Sequence, residues 1–193
     1  MSHINSIGAG LYSDLSVCTD STVVGGVVAD ILAGTLTKED CFAGFAAADF
    51  TAGTALRIVN VREFPAVGTP PNVVNVPVYG AKTSQQIQGQ ADAPSIEITL
   101  NYVASDWASG SDLGDLVGDG NQYLFRFTLL NSKPTAYSSE ATGLGTVKNS
   151  QWFWIGKIEA LQVTPQLTDA NTATLTITVQ SDFFGAYTND AAN

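Results

Sequence analysis

Hydrophobic and polar positions alternate most cleanly towards the end of the chain. Ala173, Leu175, Ile177 and Val179 fall on one parity, and Thr172, Thr174, Thr176 and Thr178 on the other. Successive side chains of a strand point to opposite faces, so this stretch predicts a β-strand with one dry face and one uncharged polar face. Ahead of it, residues 151–164 form a longer apolar run carrying Trp152 and Trp154, also β-favouring. Residues 165–171 between them supply Pro165, Asp169 and Asn171, which suit a chain reversal. The two runs predict a β-hairpin over 151–183.

The same period recurs upstream. Over 95–103, Ile96, Ile98, Leu100 and Tyr102 oppose Glu97, Thr99 and Asn101. Over 122–130, Tyr123, Phe125, Phe127 and Leu129 form an aromatic face against Leu124, Arg126 and Thr128. Residues 55–61 read as a strand. Residues 73–78 read as a short one interrupted at Pro77, and 83–90 as an edge strand or an exposed loop. Gly68, Pro70 and Pro71 break regular structure between these candidates. Thr37 with Asp40 three residues on marks a helix start, from which a short Ala-rich helix is expected to about Asp49, with Phe42, Phe45 and Ala46 on one side. Residues 111–117 suit one or two helical turns capped by Ser111 or Asp112. Residues 23–36 mix β-branched residues with glycine, and strand and loop are not separable there. Residues 1–22 read as an extended N-terminal arm with at most one short strand, and 186–193 as a polar tail. The loop over 136–149 is long enough to suggest a function of its own. The expectation is one mainly β domain over 1–193, with six or more strands, one or two short helices and long loops.

Composition narrows the classes. A chain of 193 residues with 45% hydrophobic content can bury a proper core. No apolar run reaches the roughly 18 residues of a membrane helix. The N-terminal residues lack the basic start and apolar stretch of a secretory signal, so the expected compartment is a cytoplasm, with Cys18 and Cys41 reduced. Eighteen acidic against eight basic residues give a formal charge of -10. That sign is opposite to the one needed to grip phosphates. Asp92, Glu97, Asp106, Asp112, Asp115 and Asp119 follow one another with no intervening Lys or Arg. Such a run is either a solvated acidic surface or a surface that faces a polyanion without holding it.

Candidate chemistry is sparse. His3 is the sole histidine, which removes the usual Ser-His and Cys-His nucleophiles and His-based zinc sites. Gly80-Ala81-Lys82-Thr83 comes nearest to a phosphate loop, but Ala81 separates the Gly from the Lys and the earlier glycine is missing. Asp112, Asp115 and Asp119 lack the close alternating oxygens and closing Glu of a calcium loop, and a helix cap followed by a Gly-Asp-Gly turn explains them better. Nothing singles out a carboxylate pair for glycoside hydrolysis. No catalytic, cofactor-binding or metal-ligating residue is assigned, and no enzyme is expected. Trp152 and Trp154, two apart and so on one strand face, suit core packing or subunit contact, with stacking of a sugar or base as the alternative.

Three stretches read together carry a family resemblance. They are Val73-Val-Asn-Val-Pro-Val-Tyr-Gly80, the run from Lys82 through Gln85, Gln86 and Gln88 to Ile96-Glu-Ile-Thr-Leu100 and Val103, and Trp152-Phe-Trp-Ile-Gly-Lys-Ile158 with its Thr164-Pro165 corner and closing Thr-rich strand. In these the chain resembles the major tail tube proteins of long-tailed bacteriophages, over roughly residues 55 to 185. The resemblance implies a β-sandwich or partial barrel with a flanking helix. It implies sheets joining between subunits into hexameric rings that stack into a hollow tube, with long loops and the N-terminal arm reaching adjacent rings. DNA would pass down the channel without specific binding. The implied place is the virion tail, assembled in the host cytoplasm, and the implied partners are copies of the chain together with terminator, tape-measure and distal tail proteins. Some members carry an extra immunoglobulin-like C-terminal domain, which is not expected here.

Under that resemblance the polar sides of the two cleanest strands, Glu97, Thr99, Asn101, Thr174, Thr176 and Thr178, are the candidate channel lining. The alternative is that these faces meet solvent or another subunit. Other functions to be weighed are a head–tail completion or tail terminator protein forming a single ring, and a carbohydrate-binding β-sandwich using the two tryptophans.

Overall fold

The computed structural model describes residues 12–64, 66–68, 73–76, 79, 85–88, 95–130 and 149–188. The N-terminal residues 1–11, the long loop over 136–148 and most of the final tail lie outside them.

The fold is mainly β. A main antiparallel sheet of eight strands holds β1 (Asp14–Cys18), β2 (Ala55–Ile58), β3 (Val61–Glu63), β6 (Ser95–Asn101), β7 (Tyr123–Leu129), β8 (Ser150–Thr164), β9 (Thr172–Val179) and β10 (Phe184–Tyr187). Its path runs β2-β1-β7-β8-β9-β6-β3, with β10 paired to β8 beside β9. A separate two-stranded sheet pairs β4 (Val73–Val76) with β5 (Gln85–Gln88).

The connection between β2 and β3 fixes the shape. These strands stand at opposite ends of a seven-strand path, which laid flat would separate them by about 29 Å at ~4.8 Å per strand. Yet only Val59 and Asn60 join them, spanning no more than about 11 Å. The sheet must therefore curl until its two ends meet at this corner. Asn60 turns it with φ 62, and its carbonyl accepts from the Asn101 amide at 2.9 Å. β2 and β3 are not paired with each other, so the curl stops short of closure: it is a partial barrel.

Inside the curl lies the larger core. Leu15 and Val17 of β1, Phe125 of β7, Trp154 and Ile158 of β8, Leu175 and Ile177 of β9, and Ile98 and Leu100 of β6 fill it, and Trp107, Leu113 and Leu116 pack against them. Each such side chain withdrawn from water contributes about 1.5–3 kcal/mol before conformational entropy is counted. The outer face of β1, β7 and the first half of β8 is covered by short helices α1 (Ser21–Ala33), α2 (Lys38–Phe42) and α3 (Ala47–Ala52) and the intervening 3-10 turn Ala43–Phe45. Here Cys18, Leu124, Phe153 and Ile155 meet Val24, Val27, Cys41 and Phe45. Among the described residues no helix is long and apolar enough to cross a membrane.

The hairpin over 151–183 is present as β8 and β9, and the alternations over 95–103 and 122–130 are β6 and β7. Four expectations are corrected. Residues 14–22 are not part of an arm: β1 is an interior strand with all five residues buried, and Ser21 and Thr22 begin α1. Residues 23–33 are helical despite their valines and glycines. The Asp20 side chain caps the helix through Thr22 N at 2.8 Å, Gly34 closes it with φ 69, and burial of Val24 and Val27 outweighs weak propensity. The helix announced by Thr37 carries the expected capping box but breaks at Phe42, then resumes at Ala47. The tail begins later than 186, because β10 runs to Tyr187, which pairs with Gln151. A further turn of helix, α4 (Ala104–Trp107), precedes the turn Gly114–Leu116, where Ser111 Oγ accepts from the Gly114 amide at 3.1 Å.

Candidate functional site

The site is built from one strand pair outward. β6 and β9 run antiparallel in the register Ser95↔Thr178, Glu97↔Thr176, Thr99↔Thr174 and Asn101↔Thr172. Directly opposed residues share a side of the sheet. All six candidate lining residues therefore lie on one face, with Thr172 and Ser95 among them. The opposite parity, Ile96, Ile98 and Leu100 with Ala173, Leu175, Ile177 and Val179, is buried in the core. Glu97 and Thr99 are exposed, while Asn101, Thr174, Thr176 and Thr178 are half-exposed.

A third strand belongs to this face. β8 pairs with β9 through Lys157↔Thr178, Ala160↔Thr176, Gln162↔Thr174 and Thr164↔Thr172. β3 adds Glu63, opposite Thr99. The face is thus four strands wide and made of Thr, Ser, Asn, Gln and Ala with three carboxylates, Glu63, Glu97 and Glu159, and the cation Lys157. β3 also carries the exposed Arg62, the extra residue where its register slips, 3.8 Å from Asp169. Thr178 Oγ1 donates to Glu159 Oε1 at 2.6 Å.

The β8 row was missed from sequence because its period slips. Ile158 pairs with Ile177 and Ala160 with Thr176, which leaves Glu159 as an extra residue in a bulge. Beyond it Leu161, half-buried against the core, and Val163, which is exposed, take the inward parity, opposite Leu175 and Ala173. The three-residue step from Ile158 to Leu161 was the available signal.

Helices cover the outer side of β1, β7 and early β8, but the polar outer face of β3, β6, β9 and late β8 carries no helix among the described residues. Its margins are open as well. β7 pairs with β8 only up to Gly156, so residues 159–164 have no strand on that side among those described. β3 pairs with β6 only near Thr99 and Leu100, which leaves Ser95 to Ile98 similarly open.

The tryptophans occupy different environments. Trp154 is 1% exposed, stacked on Phe125 at 5.6 Å, with Phe183 on its other contact. It has no surface to offer a sugar, a base or a subunit, so a two-tryptophan platform is not available. Trp152 is half-buried, tilted over Phe127 at 5.9 Å, and lines a cavity of about 420 Å³ with Phe183, Asp182, Gly185 and Gly68.

Of the acidic run, Asp92 lies outside the described residues, Glu97 is on the polar face, and Asp115 and Asp119 serve turns. Asp115 accepts from the Gly110 amide at 2.7 Å, and Asp119 accepts from the Asn121 amide and the Tyr123 hydroxyl. Burial pushes the Asp119 carboxyl up, but these hydrogen bonds outweigh it and hold it below the usual carboxylate range. The same burial and bond raise the Tyr123 phenol to about 12. Cys18 and Cys41 are free and buried, and burial raises their thiols to about 11 and about 12.

No family model matches the chain, and no curated protein does. Among solved structures it is similar to the SPP1 tail tube, determined by solid-state NMR and cryo-EM, at 11% identity and a TM-score of 0.47. That match covers 90% of this chain and 76% of the other.

Proposed function

We propose that the chain is a structural subunit of a phage tail tube, its polar four-strand face lining a channel for DNA. One observation carries this reading: a net-acidic polar sheet face that no helix covers among the described residues is flanked on both sides by strand edges that are open among those residues. Long open edges are a hazard in a monomer and a joining device in a ring. Pairing the late-β8 edge of one copy with the β6–β3 edge of the next is a heterologous contact, which closes when the rotation allows. Six copies of four strands make a barrel of about 24 strands, and at ~4.8 Å spacing and about 40° tilt its backbone diameter is about 48 Å. That bore passes a DNA duplex with room for side chains and water.

Electrostatics fits the same role. At physiological salt a charge is felt over only about 8 Å, so carboxylates must stand on the wall itself to keep phosphates moving. Glu63, Glu97 and Glu159, which share the polar sheet face, would serve this in the proposed wall, and threonine and asparagine hold water without fixed charge. The chain acts by assembly, with copies of itself, tail terminator, tape-measure and distal tail proteins as partners and DNA as passing cargo. Its place is the virion tail, assembled in the host cytoplasm.

Thr176→Lys tests the lining. It is expected to leave ring and tube assembly intact while slowing DNA delivery by virions carrying it. Assembled Thr176→Lys tubes that deliver DNA at the normal rate would remove Thr176 from the bore. A single ring per particle rather than a stacked tube would assign the chain to a terminator or completion role.

A further inference from the structure

Lys157 is the only Lys or Arg in β6, β8 or β9, and it stands on the polar face, opposite Thr178. A bare cation at that position works against the proposed channel, since each lysine that meets a phosphate adds a binding contact. The neighbouring geometry answers this. Glu159 is the unpaired residue of the β8 bulge, and bulges re-aim side chains that a regular ladder would commit. Its carboxylate is held on the polar face by the Thr178 hydroxyl at 2.6 Å. Thr178 is thus both the cross-strand partner of Lys157 and the tether of Glu159. Two positions apart on one strand, Lys157 and Glu159 lie within about 7 Å along the chain, inside the ~8 Å reach of charge at physiological salt.

We propose that Glu159 is a positioning residue, fixed by the bulge and Thr178 as the counter-charge that keeps Lys157 from holding DNA. This rests on the channel reading of the face. The bulge thereby has two effects from one extra residue: it returns Leu161 to the core side, and it leaves a carboxylate free to stand beside Lys157, much as Asp169 stands 3.8 Å from Arg62 of β3.

The test uses tubes assembled from the full chain and incubated with a short DNA duplex, then sedimented, with tube integrity followed by electron microscopy. Wild-type tubes are expected to carry down little DNA. Glu159→Gln keeps the shape and still accepts from Thr178. It is expected to raise co-sedimented DNA about tenfold at ~50 mM salt, with the gain lost by ~200 mM. Adding Lys157→Gln is expected to return retention to the wild-type level, which a merely structural role of Glu159 would not do. Thr178→Val, which frees the carboxylate without removing it, is expected to give an intermediate gain and carries the test if Glu159→Gln fails to assemble. Intact Glu159→Gln tubes that exclude DNA as the wild type does, or retention that survives Lys157→Gln, would overturn the proposal. Absence of tubes from the wild-type chain would instead overturn the channel reading, and this inference with it.

Discussion

At the scale of single residues, the most demanding position is Arg126. It is fully buried on the helix side of β7, its guanidinium 4.6 Å from the Phe45 ring centre and within 3.5 Å of Asp14, which also receives Arg57 Nε at 2.7 Å. Removing one partner of a buried pair leaves the other charge uncompensated, at about 3–5 kcal/mol. Asp14→Ala is therefore expected to cost that much in urea denaturation, while a surface change such as Thr164→Ser stays within about 0.5 kcal/mol. Titration gives a second expectation. Cys18, Cys41 and Tyr123 have folded pKa values of about 11, about 12 and about 12, above their ordinary 9.0, 9.0 and 10.0. The folded state holds these protons more tightly, so their contribution is complete below pH 9 and is lost as pH rises to about 12. Denaturation midpoints are expected to fall steadily between pH 9 and 11. A midpoint that rises over that range would contradict the assignment. Neither Arg126 nor Asp14 was legible as a buried pair, because alternation marks a position's side and not whether that side is covered.

Elements show where sequence patterns speak and where they stop. β6, β7 and β9 were readable because each keeps strict period two over seven or eight residues. β8 was readable as a strand but not as two environments, since Phe153 and Ile155 face helices while Gln162 and Thr164 face outward on the same side. The bulge at Glu159 hid its share of the polar face. Deletion of Glu159 is expected to leave cooperative unfolding intact, because regular pairing then keeps Ile158 and Leu161 on the core side. Loss of the cooperative transition would show that the bulge itself is required. α1 was not readable, as its valines and glycines argue against a helix and only tertiary burial decides otherwise. A Cβ at Gly25 or Gly26 meets no atom within 4 Å. Gly25→Ala and Gly26→Ala are each expected to stabilise the isolated chain by up to about 1 kcal/mol in thermal melts. Gly156→Ala is expected to destabilise it, since its Cβ falls 2.7 Å from the Thr178 carbonyl oxygen.

The whole molecule is set by one short connection. Placing β2 and β3 at opposite ends of the path while joining them through Val59 and Asn60 forces the sheet to curl. That curl divides it into a half sheathed by helices and a half whose polar face no helix covers among the described residues. The six residues that alternation put on the polar sides of β6 and β9 share that face, whereas the edges beside it, open among the described residues, became visible only with the strand order. The central claim is that these edges close between copies into a hollow tube. Negative-stain electron microscopy of the purified chain at high concentration tests it most directly. Rings or hollow tubes with a stain-filled bore are the expected result, and particles that remain monomeric under every assembly condition, for a protein absent from virions, would contradict it.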